Sequence, residues 1–266
     1  MPIWDSKKRS TKRRKFLLVS VLLSVGLLIV QRLPVESRYS AIAFFALASY
    51  LLTAWSLFKD LHGVNWVVNL ILPTLYPVSV ALFYFLLPQA AVTRTVVVGL
   101  FGISMYGLLL TSNIFAVASI RPIQLLRAAR AVGFLLSILT SAFLFHVIFS
   151  LHVEVGIVGG LVLLVSQPIL WQGAWSYVVA NTMKREFYYA LVGAVVMAEL
   201  AVALSFWLIS VPLASVVLAM GMYVILGLFQ HDLEGRLFAR TIQEYLGFAA
   251  IVFSIVVMAV VYRWGR

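Results

Sequence analysis

The chain has 266 residues, of which 63% are hydrophobic and only 11% are charged, a composition that excludes an ordinary water-soluble domain. Its formal net charge is +11, but seven of its 20 Lys and Arg residues lie between Lys7 and Lys15 and the others separate apolar runs, so we expect no nucleic-acid partner. The absence of cysteine excludes disulfides, thiolate metal ligands and cysteine nucleophiles.

Long apolar runs follow one another along the chain. The hydrocarbon core of a bilayer is roughly 30 Å thick, so a helix needs about 20 apolar residues to cross it. Runs of this kind cover residues 16–31, 40–58, 64–87, 95–118, 131–150, 155–180, 187–209, 211–230 and 244–262. The stretch 188–230 is about twice the length of one span, and we divide it at Pro212 because proline interrupts helical hydrogen bonding. The sequence therefore predicts an all-α integral membrane protein, a polytopic bundle of about nine transmembrane helices.

The first apolar run follows a basic segment, as in a secretory signal peptide, but no small-residue cleavage site comes after it. We therefore interpret the run as a signal anchor with a cytoplasmic N-terminus. In this orientation the cytoplasmic segments hold 15 Lys and Arg residues and the outer segments hold five, which agrees with the positive-inside rule. An odd number of spans then puts the C-terminus outside.

These features predict three parts and a location. Residues 1–15 form a basic cytoplasmic segment that contacts anionic lipid, residues 16–262 form a single transmembrane domain, and residues 263–266 form a short tail. We expect a multi-pass protein of the cell membrane, in a prokaryotic plasma membrane.

Two cytoplasmic connections, 119–130 and 231–243, carry apolar and basic residues at helical spacing. We predict that each forms a short amphipathic helix at the membrane surface. Such a helix either docks a partner protein or merely rests on the lipid headgroups.

One acidic residue, Glu199, falls near the centre of a predicted span. A charge at that depth costs on the order of 3 kcal/mol, so an intramembrane carboxyl group indicates a functional site. A rise of about 1.5 Å per residue puts Gln167 and Tyr106 at similar depth, and we predict that the three share a substrate or proton site in the bundle interior. The alternative is that Glu199 is neutral and makes one structural hydrogen bond between helices.

Prolines fall inside two of the predicted spans. Pro73 and Pro77 lie in the third span, and Pro168 follows Gln167 in the sixth. Each proline removes a backbone donor, so we predict kinks or breaks at these positions. Broken helices in transporters expose backbone groups that bind substrates or ions, whereas a kink without a ligand is purely structural.

Small residues recur at helical spacing in the sixth and seventh spans, where they allow close helix packing. They are Gly156 and Gly160 in the sixth span, and Ala190, Ala194 and Ala198 in the seventh. We therefore expect the seventh helix to be central and its carboxyl group to face protein or a cavity. The alternative is that this stripe forms a contact between copies of the chain.

No catalytic, nucleotide-binding or metal-binding motif accompanies these features, so we predict no catalytic residues, no metal and no cofactor. Three function classes remain. A transport or permease-like protein ranks first because of the intramembrane carboxyl group and the prolines. A non-catalytic scaffold or assembly subunit, acting through helix contacts and the amphipathic loops on a protein partner or a second copy, ranks close behind. A membrane-embedded enzyme that acts on lipid ranks last.

Overall fold

A computed structural model of the chain describes residues 3–34, 37–58, 61, 63, 65–88, 90–118, 124–178 and 184–264. Within these ranges the regular secondary structure is helical, and nine helices are each long and apolar enough to cross a membrane. The helices are α1 (Ile3–Arg32), α2 (Arg38–Leu57), α3 (Asn65–Tyr84), α4 (Ala91–Ala118), α5 (Leu126–Ser150), α6 (Val155–Val178), α7 (Lys184–Ser205), α8 (Val211–Leu233) and α9 (Ala239–Trp264). The predicted class and number of spans are confirmed.

The first helix begins earlier than predicted. α1 starts at Ile3, so the basic segment is part of the helix instead of preceding it. Lys and Arg are good helix formers, which explains why the helix continues through them. Lys15 lies over the ring of Trp55, 4.7 Å from its centroid. The side chains of residues 7–11 lie outside the described part of the chain, so the contact with anionic lipid stays a prediction.

The division at Pro212 is confirmed. α7 ends at Ser205, and α8 begins at Val211 with Pro212 in its first turn. Ser210 precedes α8 in an extended conformation, with φ −72° and ψ 148°. Proline suits the first turn of a helix because its φ is already helical and the first amide groups of a helix have no partner within it.

The predicted surface helix over 231–243 is wrong. α8 continues to Leu233, Gly235 has a φ of +67°, and α9 begins at Ala239. A left-handed glycine typically ends a helix, because it adopts this conformation without strain. In the other predicted surface helix, residues 119–123 lie outside the described residues, whereas residues 126–130 open α5.

The prolines do not break their helices. α3 continues through Pro73 and Pro77, and α6 continues through Pro168. Both helices pack against neighbours, α3 against α2 and α4, and α6 against α7 and α8. Such packing supports a transmembrane helix that lacks a backbone hydrogen bond.

The chain divides into two compact units inside α5, and the single transmembrane domain over residues 16–262 stays a prediction. In unit 1, Met1–Leu136, helices α1 to α4 pack against one another around buried side chains such as Phe16, Leu57 and Phe101. In unit 2, Ser137–Arg266, α6 and α7 make the most extensive contact, α8 packs against both, and α9 packs against α8. Unit 2 contains Glu199.

Candidate functional site

Glycines let α6 and α7 approach closely. A Cβ atom built at Gly159 would lie 2.8 Å from Cγ2 of Val202, and one built at Gly193 would lie 2.9 Å from Cδ1 of Leu170. Both distances are too short for carbon atoms in van der Waals contact. Because Gly159 and Gly193 have no side chain, the two helices pack closely at two levels.

Gly156 and Gly160, which were predicted to allow close helix packing, do not take part in this contact between α6 and α7. Gly156 and Gly160 are exposed, and a Cβ atom at either would meet nothing within 4 Å. They form part of the α6 wall of an open groove between α6 and α7, with a volume of about 440 Å³. Ten residues line this groove, and Glu199 is the one ionisable side chain among them.

Glu199 is exposed on the surface of unit 2 instead of facing the interior. The side of α7 that is buried carries Ala190, Ala194, Met197 and Ala201. Nine residues separate Ala190 from Glu199, which is two and a half turns at about 3.6 residues per turn. Glu199 therefore projects from the side of α7 opposite the buried one.

The packing of α6 on α7 also sets the levels of Glu199 and Gln167. The helices run antiparallel, and the contacts of Gly159 and Gly193 put Glu199 level with residues 159–164 of α6, so Gln167 lies three to eight residues, or roughly 5–12 Å, further along α6. Tyr106 is half-buried on α4 in unit 1. Gln167 is not among the ten residues that line the groove with Glu199, and a shared role for the three residues in handling a substrate or proton stays a prediction.

Unpaired polar atoms cluster beside Pro168 on α6. Oγ of Ser166, Nε2 of Gln167 and Nε1 of Trp171 are buried and have no hydrogen-bond partner among the residues that the structure describes. Gln167 and Trp171 lie four residues apart on the same face of α6. The ring of Trp171 meets that of Phe187 edge-on, with 5.3 Å between centroids. Buried polar atoms without partners cost free energy, so this face of α6 is a candidate contact for a polar group.

A polar network that sequence reasoning missed joins α7 and α8 where α7 begins. Nη2 of Arg185 donates to the hydroxyl oxygen of Tyr189 at 3.2 Å, and this hydroxyl donates to Oδ2 of Asp232 at 2.7 Å. Arg185 also lies 3.6 Å from Oδ2 of Asp232. At the same end, the Tyr177 hydroxyl donates to Oε1 of Gln230 at 2.9 Å and so joins α6 to α8. These contacts tie three helices together.

Sequence reasoning also missed Glu186, a residue that is only 3% exposed. Its Oε2 atom has no hydrogen-bond partner in the described ranges. It lies in the first turn of α7, where a negative charge is favoured by the helix dipole. The sequence does contain a signal for its burial, because Glu186 precedes Ala190 by one turn and so lies near the buried side of α7.

Within the described residues there is no group of three or more His, Asp or Glu side chains that could hold a metal ion. The groove offers one carboxyl group between apolar walls, which is suited to a hydrogen bond or an ion pair with a group that enters the membrane.

Residues 15–259 match a family described as "Protein of unknown function (DUF5656)". No curated protein and no solved structure shows significant similarity to the chain.

Proposed function

We propose that this chain, which belongs to the DUF5656 family of proteins of unknown function, is a non-catalytic assembly subunit of a membrane complex. The groove between α6 and α7 then receives a transmembrane helix of a partner protein. The observation that carries this proposal is the exposed carboxyl group of Glu199 in a groove with glycines in its wall.

The depth of Glu199 makes a bare carboxyl group costly. It lies six residues before the end of α7 at Ser205, about 9 Å inside at 1.5 Å per residue. A charged side chain at the bilayer centre costs on the order of 3 kcal/mol, and somewhat less toward the ends of a span. A partner helix removes this cost by supplying a hydrogen-bond donor or a cation. The exposed Gly156 and Gly160 let its backbone come close, as in other small-residue helix contacts.

Charge favours a different protein over a second copy as the occupant. The Lys and Arg side chains that the structure describes lie within about five residues of the ends of the nine spans, so a second copy has no described cation at the depth of Glu199. Two copies facing each other across the groove would bring two carboxyl groups together. We therefore assign the groove to a partner helix with small residues on one face and a basic or hydroxyl side chain level with Glu199.

Purification of the full-length chain from its native membrane in mild detergent tests this proposal. We expect a complex of fixed stoichiometry that is lost in Gly160→Leu, which fills the groove. It should be retained in Gly99→Leu, because a Cβ atom at exposed Gly99 on α4 also meets nothing within 4 Å. A chain that is monomeric, or that forms only homodimers, would contradict the proposal.

The proposal includes the orientation and location predicted from the charges. The N-terminus is cytoplasmic, the C-terminus is outside, and the basic segment contacts the anionic cytoplasmic leaflet of a prokaryotic plasma membrane. A reporter fused after Arg266 should be active outside the cytoplasm, and one fused after Arg185 should be active inside. Activity of both reporters on the same side would contradict this topology.

A transport function is the second candidate, and the unpaired polar atoms of Ser166 and Gln167 beside Pro168 favour it. Polar groups in transmembrane helices commonly line the route of a substrate or proton. In proteoliposomes, pH-dependent flux that is present in the wild type and lost in Gln167→Leu would establish transport. Absence of flux across a panel of ions and small solutes would leave assembly as the function.

A further inference from the structure

Three polar side chains lie in the interior of unit 1, on three different helices. Thr53 on α2 and Asn69 on α3 are 0% exposed, and Ser112 on α4 is 1% exposed. Oγ1 of Thr53, Oδ1 of Asn69 and Oγ of Ser112 have no hydrogen-bond partner within the part of the chain that the structure describes. Each is a buried oxygen for which a missing partner carries a free-energy cost.

The rise along the helices puts the three residues at similar levels of the unit. Nδ2 of Asn69 donates to the backbone carbonyl of Ser112 at 2.8 Å, which joins α3 to α4 at this level. The ring of Phe58 meets that of Trp66 at 5.5 Å, which sets α2 against α3. Thr53 lies five residues before Phe58 and Asn69 three residues after Trp66, so their levels agree to about 3 Å.

The hydroxyl groups of Thr53 and Ser112 differ from those beside them. Ser56 donates to the carbonyl of Thr53, and Thr111 donates to the carbonyl of Gly107, each within its own helix. This is the usual way in which Ser and Thr satisfy a hydroxyl group inside a helix. Thr53 and Ser112 do not use it, so their hydroxyl hydrogens remain available to another acceptor.

We infer that these three oxygens bind one buried water molecule that joins α2, α3 and α4. The carboxamide oxygen of Asn69 only accepts, so the ligand must donate to it, whereas the hydroxyl groups of Thr53 and Ser112 can donate to the ligand. A water molecule does both and typically makes about three such bonds. The backbone carbonyl of Asn69 is a further acceptor nearby, because Pro73 lacks the amide hydrogen that would donate to this carbonyl in a regular helix.

A metal cation fits this site less well. It would leave both hydroxyl hydrogens without an acceptor. A cation would also need a compensating negative charge in the membrane. The charged side chains that the structure describes in unit 1 are all Lys and Arg. A neutral ligand that both donates and accepts is therefore the one that matches the chemistry of the site.

The sign of a stability change tests the inference in the full-length protein in detergent. Thr53→Val and Ser112→Ala each remove an oxygen that is otherwise unpaired while keeping the shape nearly unchanged. If water joins these groups, each variant lowers Tm by about 2–4 °C, and the double variant loses less than the sum of the two. The controls are Thr111→Val and Ser49→Ala, whose hydroxyl groups donate within their own helices, and they should leave Tm nearly unchanged.

Two results would overturn the inference. A Tm that rises or stays the same in Thr53→Val and Ser112→Ala would mean that the oxygens are unpaired, because removing an unpaired buried polar group does not destabilise a protein. A Tm that rises with NaCl but not with choline chloride at equal ionic strength, and only when Thr53 is present, would assign the site to a cation.

Discussion

Glu186 and Glu199 both lie on α7, thirteen residues apart, and have opposite surroundings: the first is buried at the start of the helix and the second is exposed in a groove. In a water-soluble protein the buried carboxyl group would be the costly one. In a membrane, an exposed carboxyl group that lies within the span faces hydrocarbon and is costly as well. The exposure of Glu199 therefore supports the proposed contact with a partner helix.

The same contrast holds for the glycines of α6. Gly159 contacts Val202 and packs the two helices, whereas Gly160 lines the groove together with Glu199, and a Cβ atom built at Gly160 would meet nothing within 4 Å. Adjacent residues on one helix thus serve the internal packing of unit 2 and its exposed groove. This difference gives matched variants that separate folding from binding.

The largest expected effect is that of Gly159→Leu. The added side chain has no room against Val202, so we expect the free energy of unfolding to fall by about 1–3 kcal/mol. The matched variant Gly160→Leu should change it by less than about 0.5 kcal/mol, because the groove accepts the side chain. Thermal unfolding in detergent measures both. Equal losses in the two variants would mean that the groove is not open.

A second pair of variants compares the two carboxyl groups. Glu186→Ala removes a favourable charge and the packing of a buried side chain at the start of α7. We expect these losses to outweigh the relief of the unpaired Oε2 atom, so the free energy of unfolding should fall by about 1–2 kcal/mol. Glu199→Ala should change it by less than about 0.5 kcal/mol in the isolated chain. The opposite order of stability losses would show that Glu199, and not Glu186, faces the interior.

A smaller effect is expected for the network at the start of α7. Tyr189→Phe removes the hydroxyl group that connects Arg185 with Asp232, and should cost about 1 kcal/mol. The control is Tyr188→Phe, since the neighbouring Tyr188 is exposed. Combining Tyr189→Phe with Asp232→Asn should cost less than the sum of the two. Strict additivity would mean that the two residues do not interact.

Hydropathy predicted the nine helices, because membrane crossing demands long apolar runs and little else. Pro212 predicted the hairpin between α7 and α8 for a similarly local reason. The predicted surface helix over 231–243 does not form, because Gly235 follows the end of α8 and α9 starts soon afterwards. Features that depend only on neighbouring residues could therefore be predicted from the sequence.

The observed orientation of Glu199 differs from the predicted one for a geometric reason. A stripe repeated every fourth residue, as in Ala190, Ala194 and Ala198, drifts around the helix by about 40° at each step. The buried residues instead alternate steps of four and three, from Ala190 through Ala194 and Met197 to Ala201. That alternation was present in the sequence, and it puts Glu199 on the exposed side of α7. The buried oxygens of unit 1 had no such signal, because their meeting depends on the packing of three helices.

Site-specific photo-crosslinking tests the central claim, that a partner helix occupies the groove beside Glu199. Val195, which is exposed and lines the groove, would be replaced by a photoreactive amino acid in the otherwise unchanged chain in native membranes. A control would carry the same group at Ile255, which is 60% exposed on α9.

The account predicts one discrete adduct from position 195 that is absent from position 255 and is lost in Glu199→Leu. Its cross-linked peptide should map to a transmembrane segment of another protein that carries small residues and a basic or hydroxyl side chain. Adducts with lipid alone, or with a second copy of this chain, would contradict the account.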